Sequence, residues 1–394
     1  MELQLDAHAQ FIYELALTRL ELQTFGAEFD PNATLRVFRT ARVLDPLRLK
    51  RRAAYITAIG ALPTDYTIIR SYNRTRSVNQ YLTHWFYPYK GKYHPQMVRA
   101  LLNVMRIEPG DTVLDPFIGS GTTAVEAQLL GIHCIGVDIS PLCTLISRVK
   151  TESVAIIDRV LQYQAEYERI ARASAKSNPP PPISMEASAD DRIKNFFKVA
   201  ELIAHSDHAR RGRPFIQSFV RNIKRMSASV WDVRTASDVL ELPLGPVDIR
   251  QGDARQLHFA DESVDAILTS PPYAATLDYI ENDAHAFRAL GYDLRRVREQ
   301  VIGVRGHPQH RLSYYYDDIR QCYAEMYRVL RPGRWCVIVI GNGMVGRQPL
   351  DLIGLTIREC GAIGFEFVRE IEKPMWGRRN ELNRESIVMF IKPT

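Results

Sequence analysis

Ser270, Pro271, Pro272 and Tyr273 follow the strand-like apolar run 264–268 and are suited to gripping an amino group. Two prolines cannot continue a helix and remove two N–H donors. The Ser270 hydroxyl and the Pro271 carbonyl are therefore left as acceptors on a stiff loop, with an aromatic ring beside them. A Pro-Pro pair after a strand also occurs as a plain turn, so a clamp for an NH2 group needs support from elsewhere in the chain.

That support lies upstream. Residues 111–115 read as a short buried strand, followed by Pro116, Phe117, Ile118, Gly119, Ser120, Gly121, Thr122 and Thr123. An apolar-periodic helix then runs through Ala124, Ala127, Leu129 and Leu130. Strand, glycine turn, helix is a nucleotide-binding opening. The next strand, 134–137, ends in Asp138, a carboxylate where a ribose diol could be held, and a third, 247–251, leads to Gly252 and Asp253, an acceptor for an adenine amine. The glycine pattern also fits a dinucleotide site, which keeps a nicotinamide or flavin enzyme as a competitor. Three details favour S-adenosylmethionine. Asp115 and Pro116 precede the turn, and an anion there suits a sulfonium better than a pyrophosphate. Thr122 and Thr123 offer hydroxyl and N–H groups to a carboxylate at the helix start. Asp253 completes the order of cofactor turn, ribose acid, adenine acid and amino clamp.

Together these segments resemble the amino-methyltransferases that modify exocyclic amines of nucleobases. Residues 115–121 are similar to that family's methionine-binding motif, and 270–273 to its catalytic motif in the form typical of cytosine-N4 enzymes. Adenine-N6 enzymes more often carry an acidic residue or Asn at the position of Ser270. Lys92, Tyr93 and His94, before Pro95, resemble the motif that packs near the methionine end of the cofactor, and the motif order resembles the γ-type arrangement. The resemblance covers residues 90–150 and 245–394. It implies a Rossmann-like class I methyltransferase: an α/β fold with a mostly parallel seven-stranded sheet and helices on both faces. It also implies S-adenosylmethionine contacts at Lys92, His94, Asp115, Pro116, Phe117, Gly119, Gly121, Thr122, Thr123, Asp138, Ile139, Asp253 and Ala254. The implied reaction is methylation of cytosine N4 in DNA, in a restriction-modification setting with a companion nuclease. Adenine N6 in DNA, guanine N2 in tRNA and a catalytically silent nucleic-acid binder are the alternatives. The Pro-Cys nucleophile of carbon-5 methylation is absent, and Cys134, Cys143, Cys322, Cys336 and Cys360 lie in or near apolar runs as small core residues. Their spacing indicates neither a zinc site nor a disulfide frame, so no metal is expected.

The elements that must position this chemistry fit into a chain of 394 residues, 46% hydrophobic and 24% charged, which can bury a full core plus an appended module. A formal net charge of +6 permits a nucleic-acid partner. No apolar run approaches the roughly 18 residues of a membrane span, and the first residues lack a signal-peptide profile. A cytoplasmic protein with reduced thiols is expected. The catalytic domain is expected at 91–150 and 245–394, with an N-terminal extension at 1–90 and a basic helical insertion at 151–244. Within the insertion, behind a stiff proline connector at 178–182, Arg210, Arg211, Arg213, Arg221, Lys224 and Arg225 form a candidate phosphate grip interleaved with Phe196, Phe197, Phe215 and Phe219. The bland reading is a helical elaboration with a solvated basic face.

In the extension, 11–17 reads as helix or strand, and the opening weakly resembles the substrate module in front of tRNA guanine-N2 methyltransferases. The aromatic and basic stretch 71–90 walls the substrate cleft or packs as a loop. Downstream, a helix with Tyr314, Ile319, Tyr323, Met326 and Leu330 inward stops at 331–333, and the chain returns as a central strand over 335–340. Asn342 is a site residue or a turn former. Two closing strands follow, and the basic loop 376–380 between them is placed to approach the substrate.

Overall fold

The computed structural model describes residues 2–27, 37–39, 45–75, 77–174, 188–274, 278–307, 309–345, 348–374 and 385–394. The proline connector at 178–182 and the basic loop at 376–380 lie outside them. At the centre are five parallel strands: β1 (Thr112–Asp115), β2 (His133–Asp138), β3 (Val247–Gln251), β4 (Val264–Thr269) and β5 (Leu330–Gly341). β6 (Glu366–Lys373) and β7 (Glu385–Ile391) form an antiparallel hairpin, with β7 antiparallel to β5. The order is β6-β7-β5-β4-β1-β2-β3. It reverses between β1 and β4, which opens a crevice at the carboxyl ends of the strands. This is the α/β fold with a mostly parallel, seven-stranded sheet expected from the sequence.

The strands alternate between two cores, as a period of two requires. Val113, Ala266, Leu268, Val337 and Val339 face α1 (Pro95–Val104) and α2 (Thr122–Leu129). On that side α3 (Pro141–Glu152) follows β2 and starts at Pro141, where a missing N–H costs nothing. Leu114, Ile267, Cys336, Ile338 and Val388 face the other core. All six residues of β4 are buried, which fits its mostly apolar composition, and its one carboxylate, Asp265, is paired with Arg331. The five cysteines are buried and free.

After α3, three further α-helices stand among the described residues between β2 and β3: α4 (Ile157–Ser174), α5 (Asp191–Arg211) and α6 (Phe215–Leu240). Phe196, Phe197, Phe219 and Met226 share one core with Leu142 and Ile146 of α3, with Trp85–Tyr87, and with Phe287. The aromatics interleaved among the basic residues thus anchor the insertion to the sheet domain. On the other core lie α7 (Arg311–Val329) and α8 (Leu352–Ile363). In α7 it is Tyr315 that points inward, 1% exposed, in line with Ile319, Cys322 and Met326. Tyr314, expected inward from the sequence, is 37% exposed with the Arg305 guanidinium over its ring. The strand begins at Leu330, so the Arg-Pro-Gly segment belongs to its exposed start.

The extension folds into an antiparallel sheet of Glu2–Leu5, Val37–Arg39, Ile56–Ile59 and Leu62–Pro63, and 11–17 opens a helix, Ile12–Thr24. That helix packs on α1 and β6. Buried polar bonds tie it down: Asn103 donates to Glu21 (2.6 Å), and the fully buried Arg99 donates to the carbonyls of Arg51 and Arg52. Among the described residues no helix is long and apolar enough to cross a membrane.

Candidate functional site

A cavity of about 420 Å³ lies at the carboxyl ends of the strands. Its walls contain Lys92, His94, Pro116, Phe117, Gly119, Thr122, Asp138, Ile139, Asp253 and Ala254, together with Ser270, Pro272 and Tyr273. The cofactor turn and the amine clamp therefore share one space. Asp115, Gly121, Thr123 and Pro271 stand behind that wall.

Local geometry forces the turn. Gly119 (φ +52°) donates its N–H to Asp138 (2.9 Å), whose other oxygen accepts from the N–H of Ser140 (2.9 Å). Burial pushes the Asp138 carboxyl up to about 6, against the pull of those two donors. Gly121 (φ +79°) begins α2, and a Cβ there would meet Ser147 at 2.8–3.0 Å. From α3, Ser147 donates to the Gly119 carbonyl (2.9 Å) and Lys150 to the Ser120 carbonyl (2.6 Å). Lys150 is buried without an ion pair among the described residues, and burial drives its pKa down. Ser120 lines the cavity with a buried Oγ that has no hydrogen-bond partner among the described residues.

Asp115 is a hub rather than an open anion. It accepts from the Phe117 N–H (3.1 Å), Thr123 (2.7 Å), Thr269 (2.6 Å) and Tyr93 (2.9 Å) at 1% exposure. Burial nonetheless raises its pKa. Through Thr269 it pins the end of β4, and so the clamp, to the glycine turn. Asp253 reaches the cavity already paired: Arg255 binds both its oxygens and also Asp318. Burial alone would raise the Asp253 pKa, but the bonds from Arg255 hold it below the ordinary value.

At the clamp, Tyr273 is 7% exposed and donates its hydroxyl to Glu385 (2.6 Å), which is ion-paired with Lys373. Its ring is a fixed wall. Lys92 donates to the His84 carbonyl (2.9 Å) and is pushed down to about 8 by burial, while His94, beside the Tyr13 hydroxyl (3.3 Å), is pushed down to about 4. Tyr89, Tyr279, Lys373 and Glu385 also line the cavity; Tyr89 falls in the stretch 71–90 read as a cleft wall or a packed loop, and the other three were not found by sequence reasoning. The aromatic run 85–89 was a visible signal for Tyr89, and that stretch both packs into the core and walls the cavity. Lys373 and Glu385 become neighbours only through the register of the β6–β7 hairpin. Asn342 accepts from the Ile353 N–H (3.0 Å) at the start of α8 and is absent from the lining, so its side chain caps a helix.

In the insertion, Arg210 donates to the carbonyls of Pro88 and Asn282 and to Asp283. Arg211, Arg213 and Arg221 converge on Asp207. Arg225 lies over the Trp85 ring at 4.5 Å. Arg221, Lys224 and Arg225, with Arg172 from α4, line a second, open groove.

A family model described as DNA methylase matches residues 36–147. Type II methyltransferase M.MjaII of Methanocaldococcus jannaschii is 41% identical over 91 residues, covering 23% of this chain and 16% of that protein. Type II methyltransferase M.BsoBI of Geobacillus stearothermophilus is 23% identical over 311 residues, 64% of this chain and 60% of that protein. A tRNA (guanine(10)-N2)-dimethyltransferase of Methanothermobacter thermautotrophicus is 29% identical over 130 residues, 32% of this chain and 38% of that protein. The chain thus spans between 16% and 60% of the length of these curated relatives.

Proposed function

We propose that this chain, which over residues 36–147 matches a DNA methylase family model and in part resembles type II methyltransferases, uses S-adenosylmethionine to methylate an exocyclic base amine in nucleic acid, cytosine N4 in DNA. The observation that carries this reading is the opening of Ser270 into the same cavity as the glycine turn and Asp138.

The residues present fit the cofactor. Asp138 keeps a carboxylate for the ribose hydroxyls, and Ser120, with its orphaned buried hydroxyl, stands with Thr122 and Lys92 for the carboxylate of the amino-acid tail. Ile139 and Ala254 flank the place for the adenine. Bound there, S-adenosylmethionine supplies an electrophilic methyl group. The chain does the rest by positioning and electrostatics. Ser270 Oγ, on the cavity wall, accepts an N–H bond of the incoming amine, drawing its lone pair out of the ring and toward the methyl; the Pro271 carbonyl, one residue on, is the second acceptor only if the bound base reaches past that wall. Thr269, held by Asp115, keeps those acceptors in register with the glycine turn. The Tyr273 ring bounds the space beside the base. A cytosine in duplex DNA must leave the stack to reach this cavity.

Cytosine N4 rests on Ser270, which offers a hydroxyl where adenine-N6 enzymes more often carry an acidic residue or Asn. The groove of Arg172, Arg221, Lys224 and Arg225 is offered as a contact for phosphates. Within it Arg221 already holds Asp207, as Arg211 and Arg213 do, while Arg172 and Lys224 stand only loosely beside Glu168, at 3.9 and 3.7 Å, and Arg225 lies over the Trp85 ring; Arg210, bound to Asp283, lies outside the groove. The second reading, guanine N2 in tRNA, is favoured by the tRNA-modifying relative and by the small sheet module in front of the catalytic domain. Incubation with labelled S-adenosylmethionine and, separately, genomic DNA and total tRNA, followed by nucleoside mass spectrometry, decides between them. N4-methylcytosine that disappears in Ser270→Ala supports the first reading. Methylguanosine from tRNA supports the second, and product from neither leaves a silent binder.

A further inference from the structure

Tyr273 sits on a loop after two prolines, yet its ring is not free to turn, because its hydroxyl is bonded to Glu385 at 2.6 Å. Glu385 is the first residue of β7, and Lys373, the last of β6, faces it in register across the hairpin and binds its other oxygen. Both residues line the cavity at 7% exposure. A carboxylate so withdrawn from water needs a partner on each oxygen, and here one partner is the clamp tyrosine and the other the hairpin lysine. Lys373 in turn lies over the Tyr13 ring, 6.0 Å from its centroid, on the helix of the N-terminal module. We infer that Glu385 is a positioning residue that locks the Tyr273 ring beside the amine clamp, with Lys373 coupling that lock to the closing hairpin and the N-terminal helix.

The inference rests on the methyl-transfer reading of the same cavity and adds to it a residue far from every motif. Glu385 does not touch the reacting atoms. It acts through Tyr273, by denying the ring the rotamer that would swing it into the space the base must occupy. A neutral Gln keeps the shape but weakens the bond to the phenol and removes the counter-charge that faces Lys373 across the hairpin.

The test uses the full chain with 3-fluorotyrosine placed at position 273 and read by fluorine NMR, alongside Glu385→Gln, Glu385→Ala, Tyr273→Phe and the Tyr273→Phe/Glu385→Gln double variant, each checked by thermal melting. One sharp resonance is expected from the wild-type residue at 385, and a shifted, broadened or split one from Glu385→Ala. Turnover of Glu385→Gln should fall about tenfold with cofactor KM little changed, and the double variant should be no worse than Tyr273→Phe alone, since both substitutions break one link. An unmoved resonance in a folded Glu385→Ala protein, or losses in the double variant that multiply, would overturn the lock. Fluorine NMR needs no turnover. A ring that depends on Glu385 in a protein that methylates no nucleic acid would keep the lock and remove the methyl-transfer reading, whereas normal methylation with an indifferent ring would do the reverse.

Discussion

The bonds to the backbone that shape the glycine turn come from one stretch between Asp115 and Lys150, whereas the clamp draws on Tyr13, His94, Ser270, Tyr273, Lys373 and Glu385. The cofactor end is a strand–turn–helix unit whose bonds close mostly within it, with Tyr93 and Thr269 reaching Asp115 from outside and Thr269 linking it to β4. The clamp end is assembled from the N-terminal module, the crevice and the closing hairpin. A substitution at the first end should therefore act where it is made, and the second end should respond to changes far along the chain.

The largest effect is expected at Gly121. Gly121→Val adds a Cβ against Ser147 at a positive φ, so it should cost about 3 kcal/mol of stability from overpacking and left-handed strain together, and abolish binding of S-adenosylhomocysteine in calorimetry. Normal affinity in that variant would show that the turn is not the cofactor seat. Next comes Ser270→Ala, which removes an acceptor from the other end. Turnover should drop by about 100-fold while the S-adenosylhomocysteine Kd stays within about twofold, and unchanged turnover would end the clamp reading.

A smaller, graded effect follows from Asp138. Its folded pKa, about 6, lies above the ordinary 3.8, so its contribution to the stability of the ligand-free protein is complete below pH 3.8 and is lost as pH rises through 6. Over the same window the ionised carboxylate, the stronger acceptor for ribose hydroxyls, appears, and ligand affinity should rise by about tenfold from about pH 5 to about pH 7. Asp138→Asn should flatten both curves, and a pH-independent wild-type Kd would remove Asp138 from the ribose site. The smallest effect separates two cations of the insertion. Lys224→Ala should lower the slope of log affinity for DNA against log salt by about 1, while Arg210→Ala should lower the melting temperature instead, because its guanidinium bridges Pro88, Asn282 and Asp283. Equal salt slopes in both variants would show that the groove does not hold phosphates.

Much of this site is legible in the amino-acid sequence. Gly119, Asp138, Ser270 and Tyr273 are readable because their functions follow from backbone geometry and strand ends close by in the chain. Asp115 is readable as a site residue but not as a hub, since Tyr93 and Thr269 reach it from separate segments. Glu385 is not readable at all. Its neighbour Lys373 lies across a hairpin, and its partner Tyr273 is on a different element.

The sequence by itself determined the parallel sheet, the glycine turn with its acid and the Ser-Pro-Pro-Tyr clamp, because glycine conformations, buried apolar runs and proline stiffness act over a few residues. Only the tertiary structure decided which charges remain available. The stretch around Arg210–Arg213 reads as free positive charge, yet folding turns Arg211, Arg213 and Arg221 onto Asp207 and Arg210 onto Asp283. A cation keeps its reach for a distant anion only when no nearer one is folded against it, and that depends on which helices meet.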